Sequence, residues 1–417
     1  MAKDLTPSPK SVQKTYLTLT LLTTLAASFI WGINTLFLLD AGLSNTEAFA
    51  ANAFFTLGQL IFEVPTGVIA DTWGRRQSFL LGTVTLALST VLYLAMWQTA
   101  APFWQWAVAS ALLGLGFTFF SGAVEAWLVD ALAFVKFEGN LESVFAKGQV
   151  IGGIAMLVGS IAGGVIAQFS NLGVPYIVRA AILGMTFVIA WLMMRDLGFQ
   201  PEKGAKTSKE VKKIFNASIE NGWRNRPVRW LMLAAPFSAG VGFYAFYALQ
   251  PYLLDLYGHS TAYSVAGLAA AIVACAQIIG GLLVPFVRRR FNKRTTALIM
   301  GGVLAAVLLA FIGITNSFAM AVILLVLWAM IFATTMPIRQ AYLNGLIPSK
   351  QRATVLSFDS LMGSSGGVVI QPALGKAADV WSYSTSYIAA GAVQLLAVPF
   401  LIGAKRGNTP ADKIEHE

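Results

Sequence analysis

Charge is what this 417-residue sequence lacks most. Asp, Glu, Lys and Arg together make up 12% of it, about half the share found in an ordinary soluble domain. So few charges cannot cover a globule of this size with polar surface, which excludes a soluble enzyme and a disordered chain. The single cysteine, Cys275, excludes a disulfide framework. The two histidines, His259 and His416, sit in a loop and in the C-terminal tail. No metal or nucleophile constellation stands out around them, so neither a metal site nor a catalytic centre is expected. No phosphate-binding glycine loop is present, so ATP is not the direct energy source, and no cofactor is expected.

What the sequence has instead is long apolar runs. Hydrophobic residues make up 57% and mean hydropathy is +0.68. A membrane-spanning helix needs about 20 apolar residues. Runs of that kind lie near 17–39, 46–70, 78–97, 102–130, 146–168, 174–195, 229–255, 262–287, 295–315, 317–345, 354–378 and 383–404. The alternation of a β-barrel strand is absent from them. The pattern predicts an all-α polytopic membrane protein with twelve transmembrane helices. The polar N-terminal segment and a first span without an A-x-A-like end argue against a cleaved signal peptide.

The net charge of +10 is an orientation signal. Basic residues gather at Lys3, Lys10, Lys14, Arg75, Arg76, Lys136, Lys147, along 195–229, at Arg288 to Arg290, Lys293, Arg294, Lys350, Arg352 and in the tail. All of these fall on one side of the predicted spans. Arg179 and Lys376 fall toward the other, with Asp40, Glu47, Asp255 and Asp379. Both termini are therefore expected in the cytoplasm, and a nucleic-acid partner is not expected. The charges read as membrane address, with lipid headgroups as their partners. Short loops fit a prokaryotic inner membrane.

Domain organisation follows from the one long loop. Residues 1–196 form an N-terminal six-helix unit, 197–228 a Lys-rich linker, 229–404 a C-terminal six-helix unit and 405–417 a tail. Within the linker, Val211, Ile214, Phe215 and Ile219 recur at helical spacing and predict an amphipathic surface helix. Weak self-similarity suggests duplication. Glu125-Ala126-Trp127-Leu128 matches Gln340-Ala341-Tyr342-Leu343, 215 residues on, and Gly58-Gln59 matches Ala276-Gln277 at 218. Two pseudo-symmetric six-helix bundles are the expected architecture.

Between spans two and three runs Gly67-Val68-Ile69-Ala70-Asp71-Thr72-Trp73-Gly74-Arg75-Arg76. This resembles the G-x-x-x-D-x-x-G-R-[RK] loop of the major facilitator superfamily, matching at all five fixed positions. The resemblance covers nearly the whole chain and implies a secondary transporter working by alternating access. It also implies that Asp71 latches onto the start of span eleven, near Thr354; Gly67 permits close helix approach, Gly74 a tight turn, and Arg75 and Arg76 anchor the loop at headgroups. The stretches 62–67 and 125–130, and Gly159-Ser160-Ile161-Ala162-Gly163-Gly164 in span five, look like twelve-span drug:proton antiporters. Two departures are Ser160, where that motif has proline, and Ser110, where those exporters carry an arginine.

Polar residues inside spans are costly and are candidates for function. Asn52, Thr56, Gln59 and Glu63 form one stripe on span two; Gly114, Thr118, Ser121 and Glu125 form another on span four. The resemblance implies that spans one, four, seven and ten line the cavity. Trp31, Asn34 and Thr35, Thr118 and Ser121, Tyr244, Tyr247 and Gln250, and Trp328, Thr335 and Arg339 are the candidate lining residues. Proton-coupling candidates are Glu125, Glu63 and Asp359. Glu125 could instead pair with Arg339 across the cavity or with Lys136 or Lys147, and Asp359 could serve as a helix-start or latch residue. The reading is proton-coupled export of an amphiphilic small molecule by a monomer. The alternatives are uptake of a polar metabolite, with Arg339 receiving an anionic group, or a non-transporting sensor on the same scaffold.

Overall fold

The computed structural model describes residues 7–120, 122–199, 223–347 and 352–414, without the side chains of 352–354. The predicted linker helix around Val211 lies outside them, as does Ser121. Everything regular among the described residues is helical. Span one is Pro9–Trp31 continued by Asn34–Asp40, bent by 48° at the break. Spans two, three, five and six are Asn45–Trp73, Arg75–Thr99, Leu141–Phe169 and Gly173–Met193. Span four is Phe103–Phe120 followed by Ala123–Phe134. In the second half, spans seven to eleven are Arg226–Tyr257, Tyr263–Leu282, Arg294–Ile314, Phe318–Leu346 and Arg352–Val380. Span twelve is Tyr383–Leu395 with Ala397–Arg406.

Ten of the described helices are long and apolar enough to cross a membrane, or eleven when the bent pair is counted as one. The sequence pattern predicts twelve. The remaining rod, Arg352–Val380, has the length at 29 residues but not the apolarity. Several of its polar side chains are engaged by protein: Asp359 by Arg339, the Gln371 amide nitrogen by the Gly367 carbonyl and Asp379 by the start of span two. Such a helix is tolerated where its polar groups pair with protein or line a cavity, as Asp359 does. Elsewhere the outer surface is apolar, with Leu88, Val91, Trp191, Phe286 and Ile314 exposed, as lipid contact requires.

Alternation of the helices puts Pro9, the Gly74 loop, Arg226 and Arg406 at one end of the bundle, here called the terminus-bearing end. Asp40, Thr99, Gly173, Tyr257 and Val380 lie at the far end. The apolar clusters differ between these ends. At the terminus-bearing end one cluster runs from Val12 to Met194 and another from Val228 to Ala404, each confined to its own half. At the far end they cross: Phe49 packs among second-half residues around Tyr244, and Leu254 and Ala266 pack among first-half residues around Phe37. A repeat shows in the tyrosines. Tyr176 donates to Asn34 Oδ1 and Tyr387 to the Ala245 carbonyl, both at 3.0 Å and both across 142 residues, linking span six to span one and span twelve to span seven.

Small residues let the halves meet at the far end. A Cβ on Gly164 would stand 2.7 Å from the Tyr263 carbonyl oxygen, and one on Gly267 would stand 2.6 Å from that of Ser160. Spans five and eight therefore touch backbone to backbone. The break in span one is closed from the other half. The fully buried Gln250 accepts from the Thr35 amide at 2.8 Å and donates to the Trp31 carbonyl at 2.7 Å. Asp379 accepts from the amides of Asn45 and Thr46 at 2.9 and 2.8 Å, capping span two.

Candidate functional site

A cavity of about 900 Å³ lies between the halves. The first half contributes Trp31 and Asn34 at the break in span one, Asn52 and Gln59 of span two, and Phe117 of span four. The second contributes Phe243, Phe246 and Tyr247 of span seven, Trp328, Phe332 and Arg339 of span ten, and Asp359 of span eleven. The wall continues to Asn344 and Leu356, close to the terminus-bearing ends of spans ten and eleven. At the other end it stops beneath the Gln250 clasp. Aromatic rings dominate the wall: Trp31 meets Phe246 edge-on, and Trp328 stacks on Phe332.

Of the lining candidates, the structure brings Trp31, Asn34, Tyr247, Trp328 and Arg339 to the wall, together with Asp359. Tyr244 turns into the second half, where its hydroxyl donates to Ser386. Thr35 and Gln250 belong to the clasp. Thr118 and Thr335 turn their hydroxyls onto their own helices, at Leu115 and at Ile331 and Phe332. Glu63 and Glu125 are exposed and outside the wall. For Glu125 the reason is local. Gly122 sits at φ +71°, the left-handed region, and breaks span four between Thr118 and Glu125. A helical stripe cannot be extrapolated across such a break.

Arg339 and Asp359 form a two-point ion pair, Nη1 to Oδ2 at 2.6 Å and Nη2 to Oδ1 at 2.5 Å, with side chains 18% and 10% exposed. Nη2 also donates to the Leu231 carbonyl at 3.3 Å. The fork geometry makes this contact directional as well as electrostatic.

The Gly74 loop is held by charges of its own half. Asp71 pairs with Arg75, one helical turn on, and Arg75 Nε lies 3.9 Å from Asp130. Asp196 accepts from the Arg76 amide at 2.8 Å, and the Arg76 guanidinium lies 4.7 Å from the Trp191 ring centroid. Burial pushes the Asp196 carboxyl up from the usual aspartate range, against the pull of Arg76 and Arg75. Gly74 is required twice over: its φ is +112°, and a Cβ there would meet Asp196 Oδ2 at 2.4 Å. A Cβ on Gly67 would meet nothing within 4 Å, so the close helix approach expected there is not made in this state. Among the described residues the loop makes no hydrogen bond or ion pair to the second half. The expected partner side chain, Thr354, lies outside them.

Sequence reasoning missed Arg179. Counted with the outer-side charges, it is instead 2% exposed and lies on the cavity wall, with Nε donating to the Thr90 hydroxyl at 3.1 Å. The signal was available, since Arg179 stands six residues inside a 21-residue apolar helix. Tyr93 was missed as well; it lines the cavity and bonds Ser110 at 2.6 Å. That serine occupies the position where the antiporters carry an arginine, so the buried cation of this first half comes from span six.

The model of the Major Facilitator Superfamily matches residues 16–370 and, separately, 265–416. The chain belongs to the major facilitator superfamily. It is an integral membrane protein and a secondary transporter, not an enzyme, and such transporters bind small-molecule substrates. A curated relative, an uncharacterized MFS-type transporter of Methanocaldococcus jannaschii, is 21% identical over 230 residues. The match takes in 55% of this chain and spans 57% of that relative's length. Among solved structures, the nucleoside transporter NupG superposes with a TM-score of 0.78 at 10% identity, covering 95% of this chain and 99% of NupG. A bacterial homologue of the human lysosomal transporter Spinster, inward-facing and unoccupied, gives 0.71 at 17% identity, with coverage of 97% and 98%. A POT family transporter in complex with a thioalcohol-conjugated peptide gives 0.69 at 12%, with coverage of 95% and 96%. At these identities the likeness establishes the fold of this superfamily member and nothing of its substrate.

Proposed function

We propose that this transporter exports an amphiphilic organic molecule in exchange for protons. Its central cavity is the binding site and Asp359 the coupling carboxylate. With the termini in the cytoplasm, as the distribution of Lys and Arg indicates, the state described here opens inward. The observation that carries the reading is the aromatic cavity between the halves with one carboxylate in its wall. Glu63 and Glu125 stand outside that wall, so Asp359 takes their place. Protonation of Asp359 would release Arg339 and loosen span eleven from span ten, coupling a proton to the rocking of the halves. Resemblance of 62–67 and 159–164 to drug:proton antiporters supports export, with the molecule acting as a monomer in a prokaryotic inner membrane.

The test is transport in proteoliposomes with a fluorescent amphiphile. An imposed pH gradient should drive its accumulation, and Asp359→Asn should abolish the gradient-driven part while downhill movement persists. A pH gradient that drives no movement, or an Asp359→Asn protein that remains fully coupled, defeats the reading.

A further inference from the structure

The described wall carries more positive than negative charge. Its charged side chains are Arg179, Arg339 and Asp359. Arg339 and Asp359 neutralise each other, and Arg339 gives its remaining contact to Leu231. Arg179 has no such partner. Its Nε reaches a neutral hydroxyl, and its guanidinium carbon lies 6.0 Å from the Phe117 ring centroid. Neither terminal nitrogen meets a carboxylate, or any other acceptor, among the described residues. The phenols within electrostatic range are Tyr93, Tyr176 and Tyr247. Two of these are engaged elsewhere, Tyr93 with Ser110 and Tyr176 with Asn34. Asn52, also in the wall, keeps its amide nitrogen without an acceptor. The first half of the cavity wall therefore holds a fixed positive charge, and behind it a buried amide donor, with no acceptor among the described residues.

A guanidinium held out of water costs several kcal/mol unless something anionic compensates it. Structural arginines in such places are paired, as Arg339 is. Arg179 is tied through Nε to Thr90 beside Phe117 and sits in the cavity wall with 2% of its surface exposed and its terminal nitrogens without an acceptor among the described residues, an arrangement that suits a receptor for a ligand's charge. We infer that Arg179 binds an anionic group of the substrate, and that the transported molecule is an amphiphilic organic anion. It would combine an aromatic or aliphatic body with one oxyanion group. The body would lie against Trp31, Phe246, Trp328 and Phe332, and the oxyanion against the Arg179 fork. This rests on the cavity being the transport site.

The test compares 2-naphthoate with 2-naphthamide, two probes with the same ring system that differ in charge. Equilibrium binding is measured on the full chain in nanodiscs, with empty nanodiscs subtracted. Naphthoate should bind about tenfold more tightly or better, the worth of one charge-assisted hydrogen-bonded contact. Arg179→Gln should abolish the difference between naphthoate and naphthamide. Arg179→Lys should keep part of the preference, because it keeps the charge but loses the fork. If Arg179→Gln does not fold, the wild-type comparison and Arg179→Lys still decide. Equal binding of both probes leaves the cavity as an amphiphile site and overturns the anion. Binding of neither overturns the anion and the cavity reading together. A preference that survives Arg179→Gln overturns the assignment to Arg179.

Discussion

The two ends of this transporter are built from different interactions. At the far end the halves are joined by buried hydrogen bonds from Gln250 to the break in span one, by an exposed cap of Asp379 on the start of span two, and by backbone contact of Gly164 with Gly267. At the terminus-bearing end the interactions are charged, and each stays in one half, as with Asp71, Arg75 and Asp130. The chemistry suits the two tasks. Buried, geometrically exact contacts hold one closed arrangement. Exposed charges can exchange partners at low cost, because surface ion pairs are individually weak. A transporter that must close each end in turn needs a closed end that is specific and an open end that is ready to re-pair.

The sharpest way to break this comparison is Gln250→Ala. It leaves the Trp31 carbonyl and the Thr35 amide buried without partners, a loss of about 2–5 kcal/mol from two such groups. The far end should then open. Phe246→Cys in a Cys275→Ser background should become reactive to an impermeant maleimide applied from the far side, and the melting temperature should fall. Unchanged labelling would mean that Gln250 is not a clasp. Next comes Gly164→Val, which drives side-chain atoms into the Tyr263 and Gly267 backbone. Overpacking of this kind costs about 1–3 kcal/mol. The same cysteine should label faster, with a smaller fall in stability. Smallest is Asp71→Asn. Asp71 is 41% exposed and its partner Arg75 is in the same half, so stability should change by less than about 1 kcal/mol, and far-side labelling should stay as in wild type. A large effect of Asp71→Asn on either would show that the loop already bridges the halves.

Much of this was readable in the chain. Apolar runs give the spans because a lipid-facing helix has no other way to satisfy its surroundings. The Asp71 loop is written in five fixed residues, of which the structure explains Gly74 locally, through its φ and the Asp196 carboxylate behind it, and leaves Gly67 without a close neighbour. What was not readable lies where helices stop being regular or meet distant neighbours. Span four breaks at Gly122, and nothing in Phe120-Ser121-Gly122 distinguishes a break from a tolerated glycine, so Glu125 was assigned a face it does not present. Asp359 and Arg339 lie 20 residues apart on different helices, and no spacing rule joins them. Arg179 was misfiled by arithmetic: a charge near the end of a span was counted as a topology signal although it stands inside the helix. Span eleven was read as an apolar run near 354–378, and a 29-residue helix, Arg352–Val380, stands there, although its composition is more polar than that of the other spans.

The Gln250 clasp also sets an order in time. Span one turns at Gly32 and leaves two backbone groups that its own helix cannot satisfy. Their partner stands 215 residues further along the chain from Thr35. While a ribosome is still making spans two to six, the first span has its bend but not the side chain that completes it. Its upper segment, Asn34–Asp40, gains its final hydrogen bonds only once span seven has been synthesised and has docked. The first half is thus unfinished by itself, and assembly of the molecule ends, at this point, near where translation began.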